Sequence, residues 1–177
     1  MAHSQDDWQS PGVRRIVTAH DPRGIAGVRS DEVLETQGHS LMQGVRTGTI
    51  WATDSVPTND NNSNVDGASR VLTGDLGLIS TGGTHCLVTE IAPGATTFWH
   101  RTSSLDHNIL ISGKVIAILE DGTEYLMDKP GDVLIQRGTM HTWHNPGPEW
   151  ARYISVIVDA NSAVVKGKAL RAEMQAD

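Results

Sequence analysis

The sequence predicts an all-β domain, either a closed barrel or a sandwich. One reason is that the segments between the turns in the second half are of strand length and rich in Val, Ile, Leu or aromatic residues. A second is that no helical period of apolar residues persists along the chain. The third is a set of closely spaced turn signals, namely Ala92-Pro93-Gly94, Asp121-Gly122, Lys129-Pro130-Gly131-Asp132 and Asn145-Pro146-Gly147-Pro148.

Three parts are expected along the chain. Residues 1–80 supply N-terminal strands at 13–18 and 48–53 and a polar, Asn-rich surface loop at 54–69, and this part packs on the barrel or on a dimer partner. Residues 81–160 form the barrel. Residues 161–177 form a tail whose Ala, Leu, Lys and Glu content predicts a short helix, although it contains a glycine. The barrel strands are expected at 85–91, 106–119, 124–127, 132–136, 140–144 and 152–158.

Composition indicates which kinds of partner and which cellular compartment to expect. The chain carries 14 Lys and Arg against 21 Asp and Glu, and this acidic balance argues against a nucleic-acid partner. No apolar run is long enough for a membrane span, and the polar, acidic N-terminus lacks the pattern of a signal peptide. The single cysteine, Cys86, is consistent with a reducing compartment. A cytoplasmic protein without membrane contact is therefore expected.

Two segments about forty residues apart each place a histidine in a setting that suits a metal site or an enclosed catalytic pocket. In the first segment, Gly94, His100, Asp106 and Gly113 follow the spacing of the first motif of the cupin superfamily. That motif has a glutamate where this chain has Asp106, and a second histidine where this chain has Thr102. The segment therefore resembles the cupin motif with two of its ligand positions altered.

The second segment resembles the second cupin motif. Gly138, His141 and Asn145 fall at the expected positions, Gln136 replaces a proline, and one residue fewer follows Gly131. The resemblance implies a cupin jelly-roll β-barrel. Because strands ahead of the barrel commonly cross to a second subunit in cupins, it also implies a homodimer.

A narrower resemblance comes from a His-Arg-Thr-x-Ser-x-Asp segment followed by a Gln-Arg-Gly-Thr-x-His segment. These segments are similar to those of small single-domain cupins of bacteria and fungi, some of which belong to secondary metabolism. The residue after the Asp is usually Tyr in that group, and His107 stands there in this chain. The resemblance is specific for the family and says little about the substrate.

Strand alternation selects the candidate site residues. Side chains two apart share a face, so Phe98, His100 and Thr102 should line the barrel together, as should His141 and Trp143. Two histidines and a carboxylate, here His100, Asp106 and His141, form the facial triad that holds Fe, Mn, Ni or Zn. Without a metal, the same three side chains become general acid and base candidates. No organic cofactor is expected.

Two further predictions concern the pocket. His107 should face away from it, and takes part in catalysis only if a bulge turns it inward. The substrate-binding wall is expected to consist of Phe98, Thr102, Leu110, Trp143 and Tyr153. Such a wall favours a small organic substrate with a ring or carbonyl over a sugar phosphate.

Three functions remain open at this stage. The first is non-oxidative chemistry such as dehydration, decarboxylation or isomerisation, in which His141 or Asp106 removes a proton next to a carbonyl. A metal, or His100 as imidazolium, would stabilise the enolate. The second is a non-haem iron dioxygenase, and the third is a ligand-binding cupin without catalysis.

Overall fold

The computed structural model describes residues 10–175 and confirms the all-β prediction. Helical structure in these residues is limited to three 3₁₀ turns of three residues each. No helix in this range is long and apolar enough to cross a membrane. The strands are β1 (Val13–His20), β2 (Ala26–Leu34), β3 (Gln37–Gly38), β4 (Val45–Thr53), β5 (Thr84–Ile91), β6 (Trp99–Arg101), β7 (Ser104–Ser112), β8 (Val115–Leu119), β9 (Glu124–Met127), β10 (Val133–Arg137), β11 (His141–His144), β12 (Ala151–Asp159), β13 (Val164–Val165), β14 (Lys168–Ala169) and β15 (Glu173–Gln175).

Two antiparallel sheets form the jelly roll. One sheet has six strands in the order β10-β7-β12-β5-β4-β3, and the other has five in the order β15-β6-β11-β8-β9. β1 and β2 pair only with each other, as do β13 and β14. The N-terminal part therefore supplies two strands of the barrel itself, β3 and β4, as well as a separate hairpin.

Alternating burial along the central strands separates the inner face from the outer face. β7 and β12 each alternate buried and partly exposed residues over seven positions, as expected for strands with one face in the core. The main core packs apolar side chains of both sheets and includes Ile91, Leu110, Val115, Trp143 and Tyr153. Full burial of such a side chain stabilises the fold by about 1.5–3 kcal/mol. This core fills one end of the barrel and leaves the other end for a cavity.

The predicted C-terminal helix is wrong for residues 161–175. The backbone is left-handed at Lys166 (φ 50°) and Gly167 (φ 77°), which suits the two central residues of a hairpin turn between β13 and β14. β15 then pairs with β6, whose edge would otherwise lack a partner. The strand expected at 106–119 is likewise two strands, because Gly113 (φ 73°) turns the chain between β7 and β8.

The polar loop at residues 54–69 is held against β1 and β4 by partly buried ion pairs and hydrogen bonds. Arg15, on β1, donates to both carboxylate oxygens of Asp66 at 2.6 and 2.7 Å. Asp60 accepts from Arg70 at 2.6 Å and from the indole of Trp51 at 2.7 Å. These contacts fix the loop beside the barrel.

Gly67→Ala is expected to destabilise the protein by about 1–3 kcal/mol, because overpacking displaces well-packed neighbours. A Cβ at this position would lie 2.3 Å from Cδ2 of Trp51. Urea denaturation followed by circular dichroism measures the effect. The matched control is Gly27→Ala, where a Cβ meets no atom within 4 Å and a change within about 0.5 kcal/mol is expected. Equal stability of the two variants would show that the loop does not pack as described.

Candidate functional site

A cavity of about 600 Å³ opens between the two sheets at the end opposite the main core. The described residues that line it include no Lys and no Arg. Its apolar lining comes from Leu34, Met42, Val45, Leu72, Leu76, Leu78, Leu87, Phe98, Trp143, Tyr153, Ile157 and Met174. Its ionisable side chains are Glu35, His39, His85, His100, Asp106, His141 and Tyr153.

Two histidines lie side by side on the five-stranded sheet. His100 on β6 and His141 on β11 are directly opposed in register, and their ring centroids are 4.3 Å apart. The Nδ1 atom of His100 lies 2.9 Å from the Phe98 carbonyl, and that of His141 lies 2.9 Å from the Thr139 carbonyl. Because a carbonyl only accepts hydrogen bonds, each Nδ1 must carry the proton. Each neutral ring then keeps a lone pair on Nε2.

Burial keeps both imidazoles uncharged. It lowers the pKa of His100, and it lowers the pKa of His141 to about 3, with a further lowering from the charge of His100. Burial therefore disfavours the imidazolium form of His100 that stabilisation of an enolate would need. The pair offers lone pairs to a ligand and no positive charge.

Asp106 supplies the carboxyl group of the cavity. It lies on β7 in the six-stranded sheet and is 6% exposed. Burial raises the pKa of this carboxyl to about 6, although a hydrogen bond from Ser104 and the charge of His107 oppose the rise. Its Oδ1 has no hydrogen-bond partner among the described residues. A carboxyl group with this pKa exchanges protons readily near neutral pH.

The predicted metal triad of His100, Asp106 and His141 does not form. Within residues 10–175 no group of three or more His, Cys, Asp or Glu side chains is arranged to hold a metal ion. The two histidines belong to one sheet and Asp106 to the other, and Thr102, in place of the second motif histidine, shares a hydrogen bond with Ser104 at 2.8 Å. Two imidazole nitrogens are fewer than the three or four protein ligands of ordinary sites. These residues do not fit a resident metal.

Other predicted site residues divide into two groups. Phe98, Thr102, Trp143 and Tyr153 line the cavity as expected. Leu110, predicted to line it, is fully buried in the main core instead and does not line the cavity.

His107 lies on the outer face of the six-stranded sheet and does not line the cavity. The register between β7 and β10 is regular over 105–109, so no bulge turns this side chain inward. His107, predicted as a catalytic candidate, therefore lies outside the candidate site.

The lining also contains buried polar side chains outside the predicted set, among them His85 and Asn108. His85 is 1% exposed and uses both ring nitrogens, toward the Leu78 carbonyl at 2.9 Å and the Thr49 hydroxyl at 3.0 Å. Asn108 accepts from Ser155 at 2.6 Å. Strand alternation from Asp106 would have found Asn108, whereas His85 carries no comparable signal in the sequence.

Asp106→Asn is expected to become more stable relative to the parent protein as pH rises. The folded-state pKa of about 6 lies above the ordinary value of 3.8, so ionisation of this carboxyl costs folding free energy increasingly from pH 4 to 8. Asparagine removes that cost, and the stability difference should grow by about 3 kcal/mol over this range. Urea denaturation at several pH values measures it.

The control for this series is Asp121→Asn. Asp121 lies on an exposed turn, and hydrogen bonds from Thr123 lower the pKa of its carboxyl. Its contribution to stability is present above the unfolded-state pKa, so this variant should lose stability toward high pH. Parallel stability curves for Asp106→Asn and the parent would contradict a raised pKa at Asp106.

Several known fungal proteins are similar to this chain in sequence. No family model matches it. Phomopsin biosynthesis cluster proteins D and C' of Diaporthe leptostromiformis are each 30% identical over 176 residues, covering 96% of this chain and 92% of each relative. The cupin-domain-containing oxidoreductase fogC of Aspergillus ruber is 29% identical over 160 residues, covering 88% of this chain and 77% of that protein.

Solved structures share the fold. The polyketide cyclase RemF of Streptomyces resistomycificus superposes with a TM-score of 0.50 at 10% identity, covering 80% of this chain and 79% of that one. An ethanolamine utilization protein Q of Salmonella typhimurium also gives 0.50, at 12% identity, covering 86% of this chain and all of the other. At such low identity these structures support the architecture and nothing more specific.

Proposed function

The chain is a cupin and belongs to the same family as the phomopsin cluster proteins, and on this premise we propose that it is an enzyme that moves protons on a neutral small molecule without oxidising it. Its relatives are proteins of fungal biosynthesis clusters, which supports a role in secondary metabolism. One observation carries the proposal: a buried carboxyl group with a pKa of about 6 shares a largely apolar cavity with two neutral imidazoles.

The lining restricts the class of substrate. A cavity of about 600 Å³ suits a small organic molecule. A phosphate or carboxylate entering it would lose its hydration without meeting a Lys or Arg, and would face the carboxylates of Glu35 and Asp106. The substrate is therefore uncharged, and decarboxylation is the least supported of the non-oxidative reactions.

Asp106 performs the chemistry in this proposal. Its ionised carboxylate takes a proton from a carbon next to a carbonyl. The electron pair of that C–H bond forms a C=C bond, and the π pair of the carbonyl moves to its oxygen. Return of the proton to another carbon completes an isomerisation. If a hydroxyl leaves from the neighbouring carbon with the proton of Asp106, the products are water and an unsaturated carbonyl. A pKa near the working pH suits a residue that both accepts and returns a proton.

Tyr153, whose hydroxyl shares a hydrogen bond with Thr89, is the proposed donor to the carbonyl oxygen. Burial raises the pKa of its phenol well above the usual value, so the group keeps its proton at neutral pH. Tyr153 also lines the cavity. A buried O–H donor aimed at the developing enolate would stabilise it more than a donor in water.

Solvent exchange tests the proposal without knowledge of the natural substrate. The protein is incubated in D₂O with 2-tetralone and related neutral cyclic ketones, and deuterium at the α-carbon is followed by NMR. Exchange faster than with heat-denatured protein is expected for at least one ketone. Equal rates across the series would contradict the proposed proton transfer.

Oxidation is the second candidate, and the names of several relatives favour it. Besides fogC, virC of Hypocrea virens and srdB and srdD of Neurospora crassa are named cupin-domain-containing oxidoreductases. The arrangement of His100, Asp106 and His141 does not favour a non-haem iron dioxygenase, which would consume oxygen when supplied with iron and substrate. A third candidate, ligand binding without catalysis, predicts saturable binding without exchange or oxygen uptake.

A homodimer is part of the proposal, supported by the outer face of the six-stranded sheet. Val133 and Ile135 on β10 are 53% and 48% exposed, and Ile111 on β7 is 40% exposed. Adjacent exposed β-branched side chains on a sheet are typical of a protein interface. A second copy of the chain is the proposed partner for this face.

Ile135→Glu is expected to shift the protein from dimer to monomer, because it would bury an unpaired charge between the subunits. Light scattering during gel filtration measures the mass. Tyr125→Glu changes an equally exposed residue on the five-stranded sheet, and this control should remain a dimer. A mass that does not differ between the parent and Ile135→Glu would contradict this interface.

A cytoplasmic location also belongs to the proposal. Cys86 is free and half-buried, and burial raises the pKa of its thiol. An unreactive, unpaired thiol suits a reducing compartment.

A further inference from the structure

The side chains of His100 and His141 can accept hydrogen bonds from a ligand in the cavity but cannot donate any to it. In His100 and His141 the Nδ1 proton is donated to a backbone carbonyl, so only the Nε2 lone pair faces a ligand. No described residue donates to either Nε2. His85 in the same lining differs, because both of its ring nitrogens are engaged within the protein.

This arrangement does not serve the protein's own folding. The rest of the His141 ring is well buried, since the residue is 3% exposed, and its Nδ1 already donates to the Thr139 carbonyl. The two rings are in contact, so both lone pairs are confined to one small region of the cavity. Phe98 and Trp143 line the same cavity, and the Trp143 ring centroid lies 5.9 Å from that of His141.

We infer that the Nε2 atoms of His100 and His141 form a subsite for a hydroxyl or N–H donor of the ligand. The ligand is thus a neutral phenol, enol or hydroxylated ring whose apolar part contacts Phe98 and Trp143. The inference rests on the proposed function only in taking this ligand to be the substrate. It assigns to the motif histidines a role in recognising the substrate in place of holding a metal.

A binding comparison of two probes tests the subsite. Resorcinol carries two hydroxyl donors on one neutral ring, and 1,3-dimethoxybenzene is the same ring with both donors methylated. Titration calorimetry or ligand-observed NMR with the full chain should show resorcinol binding at least about tenfold more tightly, since a site built to hydrogen-bond a hydroxyl strongly rejects the analogue without it. Benzoate should bind more weakly than either.

Variants of the two histidines test whether these side chains cause the preference for resorcinol over 1,3-dimethoxybenzene. His100→Phe keeps a flat ring and removes the acceptor, and the preference for resorcinol should fall to less than about threefold. The matched control is His144→Gln, a change on the same strand as His141 at a side chain that bonds Thr96 outside the cavity. This control should keep the preference within about twofold of the parent. His141→Phe should behave as His100→Phe, provided that its circular dichroism spectrum is native.

Equal affinity of the parent protein for the two probes would overturn the inference, and so would an unchanged preference in folded His100→Phe. Both measurements are independent of proton transfer, because neither probe has to react. The proposed function fails in the D₂O exchange experiment instead. The two failures can therefore be told apart, and the comparison of probes on the parent protein decides even if His141→Phe does not fold.

Discussion

Asp106→Asn is expected to slow α-proton exchange of a ketone substrate by about 10²–10⁴-fold, the usual contribution of a positioned general base. Asparagine has nearly the same shape as the carboxyl but cannot accept the proton. The neutral histidines do not replace it, because burial lowers the pKa of His141 to about 3 and so makes it a weak base. The measurement is the initial rate of deuterium incorporation by NMR at saturating protein.

The control for this variant is Asp121→Asn on an exposed turn outside the cavity, for which we expect an exchange rate within about twofold of the parent rate. A pH profile adds a second readout, because the parent rate should rise as pH increases through about 6 and then level off. Full exchange activity in Asp106→Asn would assign the base to another residue.

Trp143→Ala is expected to lower the free energy of unfolding by about 3–5 kcal/mol, the range for removing a large aromatic side chain from a core. Trp143 is 2% exposed and joins the main core to the cavity, with its ring centroid 4.9 Å from that of Tyr153 and 5.9 Å from that of His141. Its loss leaves a void between the two regions. Urea denaturation at pH 7 measures the change.

Tyr125→Ala is the comparison, since Tyr125 is 56% exposed and its removal should change stability by less than about 0.5 kcal/mol. If Trp143→Ala lowers the free energy of unfolding by less than about 1 kcal/mol, this ring does not stabilise the packing between the core and the cavity wall.

Local signals were sufficient for much of the fold and for the direction of the motif side chains. Gly and Pro turns marked most strand ends to within two residues, and β9 was predicted with its observed bounds. Alternation placed Phe98, His100 and Thr102 on one face and separated Asp106 from His107. These features depend only on neighbours in the sequence.

Features that depend on how strands pair were not predictable in the same way. The metal triad required Asp106 to approach two histidines, and that depends on which sheet each strand joins. The C-terminal strand exists because β6 offers an edge, and its Met174 lines the cavity for the same reason. Likewise, the depth of the core, which removes Leu110 from the lining, is a property of packing between the sheets.

The most direct test of the central claim is α-proton exchange measured before and after dialysis against EDTA, with metal content determined by mass spectrometry on the same samples. The account predicts that exchange persists unchanged in protein with less than about one-tenth of a metal ion per chain, because Asp106 supplies the base. Loss of exchange on dialysis and its recovery with Fe(II) or another divalent ion would contradict it.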